Sequence, residues 1–278
     1  MQFITTYKAY NQPSPRSIFR HYALNALSLV KAPSAESLKQ KRIVFTCFHS
    51  YFTDNEATLR AQLEFMGKHF KFISYSEGVR RLTTGEIDDN YICFSADDGY
   101  KNFLDACKVF DDYGIKALVF ANPKVIGETN YETLKFYNDD RLSHGPMEFL
   151  SWQEVDDLLT RGHEVGNHTY GHRNVGNCSE EELQEQIVKS YEILQKHVGS
   201  DIHFAWPYGS PNDISQKALD LIYKTGHISA AAVDRHSHYT RLELVKERSY
   251  LIREQIEPFY PVNHVRYFLA KDHSVINR

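Results

Sequence analysis

Short, β-rich apolar runs recur along the chain at Ile43–Phe48, Phe70–Ile73, Tyr91–Phe94, Ala117–Phe120, Gly162–Gly166, Ile202–Trp206, Ile228–Val233 and Tyr250–Ile252. They read as seven or eight strands. Between them lie segments with helical spacing, clearest where Leu183, Ile187, Val188, Tyr191 and Leu194 fall on one face. Ser179 with Glu182 three residues on starts that helix, and Gly199 stops it. Ser151 with Glu154 starts another in the same way, and Ser210-Pro211 opens a third that Gly226 closes. Strand and helix alternating over most of the chain predict an α/β fold, a distorted (β/α) barrel of seven or eight parallel strands.

Residues 1–40 carry Pro13, Pro15 and Pro33 and no strand signal, so they read as an N-terminal extension with one helix around Ile18–Val30; residues 41–278 hold the barrel domain. The helix is expected to pack over the barrel bottom. Its flanking Arg16, Arg20 and Lys31 leave a peripheral contact with an anionic membrane open.

Three polar clusters follow directly on strand runs: Ser95-Ala96-Asp97-Asp98-Gly99-Tyr100, Asn167-His168-Thr169-Tyr170-Gly171-His172, and Pro207-Tyr208-Gly209. In a parallel barrel all three meet at the C-terminal mouth, where such folds keep their active sites. Two histidines four residues apart and a carboxylate from another strand make a three-ligand set with positions left for water and substrate. Asp98, His168 and His172 are therefore candidate metal ligands. The neighbouring Asp97 is left free as a base, because two carboxylates on one site must divide their tasks. Gly99 lets the chain turn tightly after the pair.

Composition narrows the reading further. With 32 Lys+Arg against 36 Asp+Glu the net charge is −4, which argues against a nucleic-acid partner. Hydrophobic residues at 42% are enough for a full core. No run approaches the roughly 20 apolar residues of a membrane span, and Ala23–Val30 makes a poor signal peptide, so a cytoplasmic protein is expected. Cys47, Cys93, Cys107 and Cys178 have no C-x-x-C spacing and read as reduced, structural thiols.

The three clusters resemble motifs one, two and three of the polysaccharide deacetylases, the NodB-homology proteins of carbohydrate esterase family four, over roughly residues 42–255. The resemblance implies a metal-dependent hydrolase of acetylated sugars, usually with zinc; cobalt or nickel are the other metals to test. It implies Asp97 as general base, Asp98, His168 and His172 as metal ligands, and the Tyr208 backbone N–H as an oxyanion donor. Two positions depart from the family pattern. Ala205 stands where an arginine often orients the base, which makes Arg248 the candidate substitute. Ala96 replaces a phenylalanine, a change of packing. The late Leu-x-His motif that supplies the general acid has no clear counterpart. His49, at the end of the first strand, resembles the histidine that takes this role in the branch acting on poly-N-acetylglucosamine, with His236 and His238 in reserve.

The expected reaction is N-deacetylation of an amino sugar in a surface polysaccharide or its intracellular precursor, as in O-antigen or capsule assembly. The loop Tyr131–Met147, with Lys135 and Arg141, is long enough to form a substrate wall. Two rivals stand beside this: a 2-His-1-carboxylate iron oxygenase, and a non-catalytic carbohydrate-binding barrel in which Trp206, Tyr170 and Tyr208 stack on sugar.

Overall fold

The structure, a computed structural model, describes residues 2–11, 13–30 and 37–270; Lys31 and Pro33 lie outside them. Its strands are β1 (Arg42–Phe48), β2 (Lys71–Phe72), β3 (Asn90–Ala96), β4 (Leu118–Ala121), β5 (Glu164–Asn167), β6 (His203–Ala205), β7 (Ser229–Val233) and β8 (Leu251–Gln255). All pair in parallel, and β1 bonds to both β3 and β8, which closes a seven-stranded barrel. The Phe70–Ile73 run contributes no stave. β1 and β3 pair directly from Arg42↔Asn90 to Phe48↔Ala96, so β2 is left beside the lower part of β3, at Tyr91 and Ile92.

Alternation along each strand sorts the side chains into two cores. Val44, Phe48, Ile92, Phe94, Val119 and Val165 face the surrounding helices. Ile43, Phe45, Tyr91, Cys93, Leu118, Phe120 and Phe204 fill the barrel. The strands have no polar face to alternate with because both sides are covered.

Capping boxes at Ser151 with Glu154 and Ser179 with Glu182 start their helices as expected. Ser210-Pro211 opens only a short 3-10 turn; the helix Gln216–Thr225 starts instead from Ser215 and ends at Gly226. Four cysteines are unpaired. Among the described residues no helix is long and apolar enough to cross a membrane.

The N-terminal helix Pro15–Val30 is not under the barrel. It packs on the flank, against the last helix, Val262–Ala270, through Asn25, Asn263 and His264. Ahead of it, residues 2–11 run across the mouth. Ile4 N donates to Pro146 O at 2.8 Å, Tyr7 N to Asp54 Oδ1 at 2.9 Å, and the Tyr7 ring stacks on Phe259 at 4.6 Å.

Candidate metal centre and its surroundings

Interior positions of β3 change character going up the barrel, from Tyr91 and Cys93 to Ser95 and then Asp97. In an extended chain Asp98 would face the opposite way from Asp97. Left-handed backbone at Asp98 (φ 71°) and Gly99 (φ 76°) turns the chain so that both carboxylates serve the mouth. A Cβ on Gly99 would sit 2.9 Å from Ala121 Cβ, so glycine is required there for space as well as for conformation. Thr169, His172 and Tyr208 also have positive φ, of 67°, 53° and 67°. Strained non-glycine backbone therefore collects at the ends of three strands around one point. Asn122 holds one of these strained turns by donating to the backbone carbonyls of both His168 and Thr169.

The ligand atoms of Asp98, His168 and His172 all lie within 4.8 Å of one another, and all three residues are buried. His168 Nδ1 lies 2.8 Å from the Ala205 carbonyl. A carbonyl only accepts, so Nδ1 carries the proton and the Nε2 lone pair is turned towards Asp98. Nε2 of His168 and of His172 stand 3.5 and 3.3 Å from Asp98 Oδ1 without hydrogen-bond geometry, and this buried oxygen has no donor. An acceptor oxygen without a donor, beside the His168 lone pair and the His172 ring nitrogen, is a donor set that fits a divalent cation.

Asp97 lies beside this cluster, gripped by Arg253 of β8. Nη1 donates to Oδ1 at 2.6 Å and Nη2 to Oδ2 at 3.0 Å, and Nη1 also reaches Ser95 Oγ at 3.2 Å. Burial pushes the Asp97 carboxyl up, but the guanidinium and the His168 and His49 imidazoles bring it below its ordinary value. Arg248 is not the arginine at this place. It ends the short helix Leu244–Glu247, 3.9 Å from Asp220, with its side chain 40% exposed. Arg253 lies just beyond the run Tyr250–Ile252 expected as the last strand, which in the structure continues to Gln255. The signal was present: β8 alternates Leu251, Arg253 and Gln255 on one face, and a buried arginine demands an acidic partner.

His49 follows β1. Its Nδ1 donates to Glu257 Oε1 at 2.8 Å, and its backbone N–H bonds to Oε2 at 3.2 Å. Burial works against protonation of His49, but the Glu257 carboxylate prevails and its pKa is raised to about 10. Glu257 is held in turn by Gln255 Nε2 at 2.8 Å, and sequence reasoning missed it. The reserve histidines stand elsewhere: His236 beside Asp234, and His238 bridged to Ile43 at the start of β1, away from the strand C-termini.

Tyr208 is 61% exposed, with its ring 5.3 Å from that of His172. No hydrogen bond among the described residues takes up its backbone N–H. Trp206 is fully buried, donating Nε1 to Ser210 O, so it cannot stack on a sugar. Lys189 covers the Tyr170 ring at 3.9 Å. In the segment Tyr131–Met147, Lys135 and Arg141 are paired with Asp139 and Asp140. From the same segment His144 Nε2 meets the Tyr10 hydroxyl at 3.3 Å. Burial raises the Tyr10 pKa, and the negative charges of Glu257 and Asp98 raise it further, which places this N-terminal tyrosine against the site.

The family model described as polysaccharide deacetylase matches residues 84–226. Two Bacillus cereus proteins named peptidoglycan-N-acetylglucosamine deacetylase are 41% identical over 56 residues and 35% identical over 72. These matches cover 20% and 26% of the chain, and they span only 20% and 34% of those relatives' length. A Bacillus subtilis protein named for the polysaccharide deacetylases is 22% identical over 234 residues, covering 78% of the chain and 75% of its own length. Among solved structures, a Streptococcus pyogenes deacetylase in complex with acetate superposes with a TM-score of 0.62 at 16% identity, over 83% of this chain and 98% of that one. A Bacillus cereus polysaccharide deacetylase superposes with a TM-score of 0.61 at 16% identity, over 83% of this chain and 69% of the other. At that identity the likeness is one of fold.

Proposed function

The chain belongs to the polysaccharide deacetylase family, and from that premise we propose that it is a metal-dependent hydrolase that removes the N-acetyl group of an amino sugar. The observation that carries this reading is the Arg253-gripped Asp97 standing beside the Asp98, His168 and His172 cluster. An oxygenase has no use for such a carboxylate, and a binding module has no use for either group.

Asp98, His168 and His172 hold the cation, with zinc the first choice and cobalt or nickel the alternatives. When bound, it supplies Lewis-acid polarisation of the acetyl carbonyl and makes water easier to deprotonate. Asp97 takes the proton from the attacking water; Arg253 fixes both carboxylate oxygens, so its orientation costs nothing at the moment of reaction. The Tyr208 N–H donates to the developing oxyanion. His49 gives its proton to the departing amine, and Glu257 keeps the imidazole charged and oriented for that task. The C–N bond breaks, and acetate and the free amino sugar leave.

The substrate class is an N-acetylated sugar of a surface polysaccharide or its precursor. Support comes from the family and from relatives named for N-acetylglucosamine of peptidoglycan. The test is acetate release from N-acetylglucosamine oligomers by metal-stripped protein restored with zinc, cobalt or nickel singly. Asp97→Asn should keep its stoichiometric metal and lose acetate release, whereas His168→Ala should lose both. Full turnover by Asp97→Asn would refute the base assignment.

A further inference from the structure

The Pro15–Val30 helix shows the reverse of ordinary amphipathic packing. Its hydrogen bonds to the last helix come from polar side chains, beside the half-buried Leu24. Asn263 Nδ2 lies 3.0 Å from Asn25 Oδ1 and 2.9 Å from Ser28 Oγ, and His264 Nε2 is 2.8 Å from Asn25 Oδ1; Arg20, exposed at the edge of this contact, reaches the Tyr260 hydroxyl at 3.5 Å. Its outward side carries Ile18, Phe19, Tyr22 and Leu27, exposed by 47%, 74%, 68% and 37%. Ile18, Phe19 and Tyr22 fall on one helical stripe. The remaining large apolar side chains exposed among the described residues are Phe136, Tyr208 and Val245, scattered over other elements. Against its own protein the helix half-buries Ala23 and Leu24, and it leaves Phe19 and Tyr22 largely in solvent. Its apolar stripe fits a partner outside the chain.

Charge identifies the partner. Ahead of Glu36 the sequence holds Lys8, Arg16, Arg20 and Lys31 and no Asp or Glu, in a chain whose net charge is −4. Arg16 and Arg20 are exposed on the helix itself. A second copy is a poor occupant, because two such helices meeting across a twofold axis would bring like charges together with no acidic residue on either helix. The segments 31–36 and 271–278 are also poor occupants, since Lys-Ala-Pro-Ser-Ala-Glu has no large apolar residue and Lys-Asp-His-Ser-Val-Ile-Asn-Arg has only Val-Ile.

We propose that this helix lies flat in the surface of an anionic lipid bilayer, with Ile18, Phe19 and Tyr22 in the acyl boundary and Arg16 and Arg20 against the headgroup phosphates. The helix follows the segment that crosses the mouth and runs along the flank of the barrel against the last helix. The attachment does not depend on the proposed reaction.

The test is flotation of the full chain with phosphatidylcholine vesicles, with and without phosphatidylglycerol, at low and high salt. The protein should float with the anionic vesicles and stay behind with the neutral ones, and salt should weaken the binding. Phe19→Ser/Tyr22→Ser should cut partitioning by about tenfold or more, and Arg16→Gln/Arg20→Gln should bring it down to the level of neutral vesicles. Thermal unfolding and metal stoichiometry of both variants should match the parent, since these side chains are exposed and none belongs to the metal cluster. Failure of the parent to float with anionic vesicles, or equal flotation of the serine variant, overturns the proposal. A vesicle-free dimer abolished by the serine substitutions also overturns it, and makes the stripe a contact between copies.

Discussion

Replacing Arg253 by Met strands Asp97. In the structure the guanidinium is fully buried, the Asp97 side chain is 3% exposed, and the two are joined at 2.6 and 3.0 Å. Removing one partner of such a pair leaves an uncompensated buried charge, which costs about 3–5 kcal/mol. Ser95 Oγ loses a donor as well, worth about 1 kcal/mol. Against a folding stability of roughly 5–15 kcal/mol this is a large fraction. The assay is urea unfolding of metal-free protein at neutral pH, run as a cycle with Asp97→Asn and the double variant. Because the double variant carries no stranded charge, a coupling of about 2 kcal/mol or more is expected between the two sites. Arg248→Met is the control. That side chain is 40% exposed and 3.9 Å from its nearest carboxylate, so the change should stay within about 0.5 kcal/mol. Acetate release should fall with Arg253→Met and persist with Arg248→Met. A cost below about 1 kcal/mol for Arg253→Met, or no coupling in the cycle, would refute the assignment of Arg253 as the partner that sustains Asp97.

Glu257→Gln should drop the titration of His49 in metal-free protein from about 10 to well below that value, because the carboxylate is what overcomes burial; NMR of the imidazole checks this, and an unchanged midpoint contradicts it. His203 and His227 are buried and neutral, with burial lowering their pKa to about 3 and about 4. The unfolded chain, with histidine near 6.5, binds protons that the folded one refuses, so their contribution is intact above pH 6.5 and is lost as the pH falls towards 4. At pH 5 the loss is about 2 kcal/mol per histidine. His227→Gln should therefore narrow the stability gap between pH 7 and pH 5 by about that amount in metal-free protein, and an unchanged gap would count against a neutral His227.

How far the sequence could be read depended on whether a feature is local. Asp97, Asp98, His168, His172 and Tyr208 stand directly after apolar runs, and a parallel barrel gathers such positions at one mouth whatever the details of pairing. The Phe70–Ile73 run looked equal to the others. Its exclusion from the ring is decided by β1 pairing directly with β3, a long-range choice with no local mark in the sequence. The arginine was misplaced for a related reason. Arg248 and Arg253 are equally charged and only a few residues apart, and what separates them is the register of β8, in which Arg253 stands opposite Phe45 and Val233 and so lies inside the barrel under Asp97. Glu257 and Tyr10 were hidden more deeply. One lies beyond the last strand and the other ahead of the first, and neither belongs to a motif; Glu257 meets His49, and Tyr10 meets His144, only because the barrel closes and the N-terminal segment crosses its mouth. Residues 2–11 and Glu257 both fall outside the stretch matched to the family, 84–226. The cation site therefore rests on residues within that stretch, while the groups that tune His49 and cross the mouth come from parts of the chain on either side of it.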